Sequence, residues 1–506
     1  MKRLWVLPAF CLLVVSASAQ QSKSKAAAGS AKTTATAANG YSIPATITPL
    51  KNCWLYMGCY FGKFKNLVDS AWVDGNSNAV FKGKKKLPGG IYFLVSPRKA
   101  ILFDFLVDEQ QHFSIKADTL QPDKAVVTGS PDNDLFQAYS AFLAQKMPHI
   151  NELQGNLKSA KTAADFAAIR AELQKSGKEL NDYRDQVIAT RPESMMAVFF
   201  QAMKRPEAPP VPTLPNGTKD SLYPLHYVHD HYFDGIDFND ERLLHTPFLD
   251  PKVEEYFKYY VVPHPDTLIQ EVNYLLLSSR ANDDIHRYWL GRFTDKYINP
   301  EIMGQDKVFI FLFNQYFSKG DTTWLNPKQR EFIFNRAYSM MANQIDEPAP
   351  VLDLKDSSNK VTPLYNVKAP FTFVVFWDPT CSHCKVQVPE VDSMYEAKWK
   401  KMGVKIYAVN VEDKDDVSPA WKKFIQDNHL NGWVHVYQPK AAHEADNKAG
   451  RANFRQLYDV FQTPTMYLLD ANKNIIGKKL TLEQFDQVMQ AKIKAQKASG
   501  AGNAKK

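Results

Sequence analysis

Cysteine is scarce in this chain, with five among 506 residues. So few sulfurs cannot frame a disulfide-held scaffold, and they point to one or two particular sulfur sites. Long hydrophobic runs are scarce too. After residue 19 no segment offers the roughly eighteen uninterrupted apolar residues that a membrane-spanning helix needs. Neither sign of charge dominates, since 62 basic residues face 54 acidic ones for a formal net charge of +8. The Lys84-Lys85-Lys86 run precedes Pro88-Gly89-Gly90, and the lysines of the C-terminal tail mix with Gly, Ala and Asn. Both patterns belong to solvated surface and not to nucleic-acid binding. No Gly-rich phosphate loop and no G-x-S-x-G nucleophile turn occurs, which removes two common enzyme classes.

What is present divides the chain. At this length, with 44% apolar and 23% charged residues, two or three soluble domains are expected. Residues 1–19 read as a secretory signal: Lys2 and Arg3, an apolar stretch from Leu4 to Val15, then Ala17-Ser18-Ala19 before Gln20. The processed protein is therefore expected in an exported compartment, without a stable membrane span once the signal is removed. Residues 20–42 hold almost no large apolar side chain and predict a disordered linker.

From 43 to 131, short runs rich in β-branched and aromatic residues, among them CWLYMGCYFG, GIYFLVS and AILFDFLVD, alternate with Gly and Pro turns. They predict an antiparallel β domain. From 132 to 346 the apolar period lengthens to three and four, as in NDLFQAYSAFLAQKM and QREFIFNRAYSMMANQI, which predicts an all-α domain. RPEAPPVPTLPNG, from Arg205 to Gly217, interrupts it as a stiff extended link. From 347 to 495 strand and helix patterns alternate, the signature of an α/β domain with a parallel core. Ser418-Pro419 and Thr481 to Gln484 mark helix starts there. Residues 496–506 are expected to be a disordered tail.

Chemistry concentrates at FWDPTCSHCKVQVPEV, residues 376–391. After a buried strand, Asp378-Pro379 makes a turn, because the residue before proline avoids helical backbone. Cys381 then falls in the first turn of a helix, where unpaired N–H groups and the helix dipole favour a thiolate. Cys384 lies one turn further on the same face, within reach of a disulfide after a small adjustment. The spacing predicts a nucleophile, Cys381, and a resolving thiol, Cys384. A protonated His383 between them would stabilise the thiolate and make the pair more oxidising.

Other uses of these residues are weaker. One C-x-x-C supplies two zinc ligands where a structural site needs four, so no metal is expected. A bridge closing so short a loop removes little chain entropy, which argues against a purely structural disulfide. Cys53 and Cys59 share a strand face but sit about 20 Å apart along a straight strand, so they read as buried unpaired thiols unless a bulge at Gly58 or a turn intervenes. LHYVHDHYFDGIDFNDE, from Leu225 to Glu241, fits no calcium loop or H-E-x-x-H helix and reads as an aromatic helix with solvated polar positions.

With Trp377 four residues before Cys381, the pair itself, and Thr463-Pro464-Thr465 ahead of a strand, the C-terminal segment resembles the thioredoxin fold, closest to exported TlpA- and ResA-like thiol–disulfide oxidoreductases. The resemblance implies a cis peptide before Pro464 beside the cysteines, Thr463 and Pro464 as a substrate rim, and tuning by His383 and Trp377. It implies no cofactor beyond a redox-active Cys381–Cys384 disulfide. Its partners would be exported proteins carrying disulfides or thiols, together with an envelope electron donor. Two departures stand out: Val375 and Gln387 occupy the places where relatives carry a proton-accepting carboxylate, leaving Glu390 and Glu412 as substitutes to be examined. LPGGIYFLV, QQHFSI, DERLLHTP and HPD upstream resemble the front domains of large exported thioredoxin-like proteins of Bacteroidetes-type bacteria, which implies a periplasmic or envelope location. The sequence therefore predicts an exported thiol–disulfide oxidoreductase. The rivals are a non-enzymatic envelope binding protein built on the same scaffold and a metal carrier.

Overall fold

The computed structural model describes residues 40–503. The expected signal, residues 1–19, and nearly all of the expected linker lie outside the described residues. Strand β1 begins at Tyr41, inside the 20–42 segment, because Tyr41 and Ser42 pair with Gly83 and Lys82. The Tyr41 hydroxyl also donates to Asp69 at 2.7 Å. Those contacts decide the conformation of two residues whose surroundings in sequence are polar.

Eight strands build the first domain: β1 (Tyr41–Thr48), β2 (Cys53–Phe61), β3 (Phe64–Val73), β4 (Asn78–Gly83), β5 (Gly90–Val95), β6 (Ile101–Val107), β7 (Ser114–Asp118) and β8 (Gln121–Thr128). They form two four-stranded sheets, β4-β1-β7-β8 and β3-β2-β5-β6. Alternate residues such as Ile43, Ile47, Leu55, Met57, Tyr92 and Phe105 meet in one core between them, the arrangement of a β-sandwich. Neighbouring strands are antiparallel except β1 and β7, which run parallel. Cys53 and Cys59 are both free thiols, Cys59 buried in this core. The register does shift between Met57 and Gly58.

The helical domain comprises α1 (Pro131–Ser159), α2 (Ala163–Thr190), α3 (Met195–Met203), α4 (Tyr223–His231), α5 (Glu241–Leu244), α6 (Leu249–Tyr259), α7 (Pro265–Ser278), α8 (Asp283–Tyr297), α9 (Asp306–Gln315) and α10 (Pro327–Met341). The proline-rich stretch separates α3 from α4 without regular structure beyond a bridge between Thr213 and Lys219. Ile91 and Leu106, on the outer face of β5 and β6, join the helical core, so this domain packs on the sandwich. The Asn133 side chain, fully buried, accepts from the Leu106 N–H at 2.8 Å and donates to the Leu106 carbonyl at 2.8 Å, fastening α1 to β6.

The C-terminal domain holds β9 (Asp353–Asp356), β10 (Val361–Pro363), β11 (Phe371–Trp377), α11 (Ser382–Met394), β12 (Val404–Asn410), α12 (Pro419–Asp427), β13 (Val434–Tyr437), α13 (Lys440–Lys448), α14 (Phe454–Leu457), β14 (Thr465–Leu469), β15 (Ile475–Lys478) and α15 (Leu482–Asn503). One seven-stranded sheet, β10-β9-β13-β12-β11-β14-β15, carries them, parallel through β13, β12 and β11 and antiparallel outside. Strand β11 is apolar except for the buried Thr372 because it feeds two cores. Phe373, Val375 and Trp377 face one side, Val374 and Phe376 the other. Ser418 and the Thr481–Gln484 capping box close the helix starts expected of them. Helix α15 runs on to Asn503, into the segment from residue 496 that was expected to be a disordered tail.

Candidate redox site

The site begins where β11 ends. Asp378 turns its carboxylate onto Thr380, accepting from its N–H at 2.7 Å and its hydroxyl at 2.6 Å. That side-chain turn brings Cys381 to the N-cap of α11, with extended backbone and its carbonyl already accepting from the Lys385 N–H at 3.1 Å. Cys381 is therefore partly exposed at a helix N-terminus. Cys384, one turn on, is fully buried in the core that holds Trp377 and Val388, and its sulfur accepts from the Asp378 N–H at 3.5 Å.

The loop before β14 faces the pair. The Thr463–Pro464 peptide is cis, and the Cys381 thiol donates to the Thr463 carbonyl at 3.4 Å. The Cys381 pKa is lowered to about 7, chiefly by a hydrogen bond from the Thr463 side chain. The Cys384 N–H comes next, and burial opposes both; the Cys384 thiol and the His383 N–H add smaller contributions. Burial pushes Cys384 the other way, up to about 12, against the pull of the Asp378 N–H and the Thr463 side chain. One thiol is thus ionised near neutral pH while its neighbour keeps its proton.

The remaining expected residues fall as follows. His383 is exposed and reaches Cys381 through its backbone N–H. Trp377 is fully buried against Phe424, their rings 4.9 Å apart. Val375 packs in the core beside Cys384, and Gln387 and Glu390 are exposed. Glu412 accepts from Asn410 at 3.0 Å and from Ser418 at 2.6 Å, so its carboxylate serves the start of α12. The groups that set the acidity of the two thiols are each other, Thr463 and backbone N–H groups, with no carboxylate among them. The turn itself was expected from Asp378-Pro379, whereas the capture of Thr380 by the Asp378 carboxylate and the contribution of the Thr463 side chain were not.

In the 225–241 segment His231 pairs with Asp234 at 2.7 Å, while His229 meets Asp230 at 2.8 Å and the Tyr256 hydroxyl of α6 at 3.0 Å. Among the described residues no group of three or more His, Cys, Asp or Glu is placed to hold a metal ion.

Comparison with known families adds a decisive observation, because residues 345–478 match the AhpC/TSA family. The C-terminal domain is a thioredoxin-like thiol–disulfide oxidoreductase domain. Residues 172–343 and 41–136 match two domains of unknown function, DUF5106 and DUF4369, in the order found here. The thioredoxin-like domain is 27% identical over 150 residues to a thiol-disulfide oxidoreductase ResA of Bacillus cereus, covering 29% of this chain and 78% of that protein. With the ResA of Bacillus anthracis it shares 29% over 147 residues, 28% of this chain and 75% of that protein. Among solved structures, a domain of a possible thiol-disulfide isomerase from Cytophaga hutchinsonii is 31% identical, with a TM-score of 0.26, over 30% of this chain and 96% of that one. A thioredoxin-like protein from Bacteroides caccae aligns with 56% of this chain and 98% of its own, at 16% identity and a TM-score of 0.42.

Proposed function

We propose that Cys381 and Cys384 cycle between dithiol and disulfide and reduce or exchange disulfides of exported proteins in the periplasm or envelope. The observation that carries this reading is the placement of the two thiols one helical turn apart, Cys381 partly exposed at the N-cap of α11 and Cys384 fully buried, which lowers the first to about 7 and raises the second to about 12. A structural bridge needs no such asymmetry.

The Cys381 thiolate attacks one sulfur of the substrate disulfide, forming a mixed disulfide and releasing the other substrate sulfur as a thiolate. Bonding Cys381 into the mixed disulfide removes the negative charge that holds the Cys384 proton in place, and that proton passes to the leaving thiolate or to solvent. Cys384 then attacks the Cys381 sulfur, closes the intramolecular disulfide and releases the second substrate thiolate, which is protonated from solvent. Two electrons have passed to the substrate. An envelope donor of dithiol type returns them. Thr463 and the cis Pro464 form the rim along which the substrate lies, and His383 with Trp377 flanks the pair.

Trapping tests this directly. Cys384→Ser should accumulate Cys381 mixed disulfides with particular exported proteins; a folded variant that forms no adduct would favour the reading of the domain as a binding scaffold.

A further inference from the structure

The loop that faces the redox pair, residues 459–464, is fastened from outside its own domain. Asp459, 2% exposed, takes charge-assisted hydrogen bonds from Arg336 on α10 and from Lys479 just after β15. Arg336 is itself 7% exposed, donates to the Asn299 side chain at 3.0 Å, and lays its guanidinium 5.0 Å from the centre of the Phe461 ring. Asp459 has a φ of 51°, in the left-handed region that Asp enters more readily than most side chains. Between Asp459 and Thr465 the chain has no regular structure, and Phe461 is 71% exposed. Such a loop moves unless it is tied. One helical-domain side chain thus grips it at two points, and Thr463 follows Phe461 by two residues.

We propose that Arg336 is a positioning residue for the redox pair, holding Asp459 and Phe461 so that Thr463 stays against Cys381. The inference rests on reading Cys381 and Cys384 as the redox site, and it gives the helical domain a part in that chemistry. A second buried ion pair shows what is particular to Arg336. Lys478 Nζ lies 2.5 Å from Asp306 Oδ2 and also ties the two domains, but it grips β15 and not the loop that touches Cys381.

The test follows alkylation of Cys381 by iodoacetamide across pH in the reduced full-length protein, reading the Cys381 peptide by mass. Arg336→Met should raise the midpoint, and a rise of about one unit from 7 slows alkylation at pH 7 roughly five-fold. Thr463→Val should raise it as well. The double variant should go no higher than Thr463→Val alone, because Arg336 acts through Thr463. Arg336→Lys should recover part of the shift, and Lys478→Met should leave the midpoint in place. An unchanged midpoint in Arg336→Met, additive shifts in the double variant, or an equal shift in Lys478→Met would overturn the proposal. Should Arg336→Met fail to fold, Phe461→Ala and Arg336→Lys put the same question. Alkylation reads acidity and not turnover, so the coupling can hold or fail independently of whether the protein reduces disulfides.

Discussion

The sulfur of Cys381 lies 3.4 Å from the carbonyl oxygen of Thr463, a residue 82 positions further along the chain. Two loops, one at the end of β11 and one before β14, are brought together because those strands are neighbours in the sheet, pairing Phe376 with Thr465. While protonated, the thiol donates to that carbonyl, and the N–H groups of the helix N-terminus, with the Thr463 side chain, favour the sulfur once it is ionised.

Reactivity should follow that ionisation. Alkylation of Cys381 should rise with a midpoint near pH 7, whereas Cys384 should stay unreactive through the physiological range, as its value of about 12 dictates. Following each cysteine peptide by mass against pH checks both statements.

Thr463 should matter through its hydroxyl. Thr463→Val removes the largest contribution to the acidity of Cys381 and should move its midpoint upward, while Thr463→Ser keeps the donor and should restore it. The same two variants compared in the rate of mixed-disulfide formation separate the hydroxyl from the shape of the rim.

Stability should depend on pH with a definite sign. The folded Cys381 value lies below its ordinary value of 9.0. Its contribution is therefore fully present above about 9, and it is lost as pH falls through about 7. Denaturant unfolding of the reduced protein should show the wild type gaining on Cys381→Ser between those values, and no divergence below them.

Asn133 joins the two front domains. Asn133→Ala leaves a strand N–H and carbonyl of β6 buried without partners and should cost about 1–3 kcal/mol, with little effect on Cys381. Unfolding curves and the alkylation profile measured on the same variant test both halves of that statement.

Features carried by local pattern were legible in the sequence: the apolar run of β11, the two cysteines at helical spacing, and Thr463-Pro464 ahead of a strand. Features made by partners far apart were not. Strand alternation says which side of β1 faces the core but not that β7 would run parallel to it. The β9–β10 hairpin is short and polar, four and three residues, and gives almost no periodic signal. Arg336 sits 123 residues from Asp459, so its burial appears only once the domains are packed. The absence of a carboxylate at Val375 was visible in the sequence; that the Thr463 carbonyl would accept from the Cys381 thiol was not.

The reduction potential of the Cys381–Cys384 couple, measured by equilibrating the full-length protein against glutathione buffers, tests the redox reading most directly. Opening and closing should follow one two-electron curve with a potential above about −300 mV, in the range of exchanging pairs. A pair that never closes, or one that closes with a potential well below that value and leaves Cys381 unreactive, would contradict it.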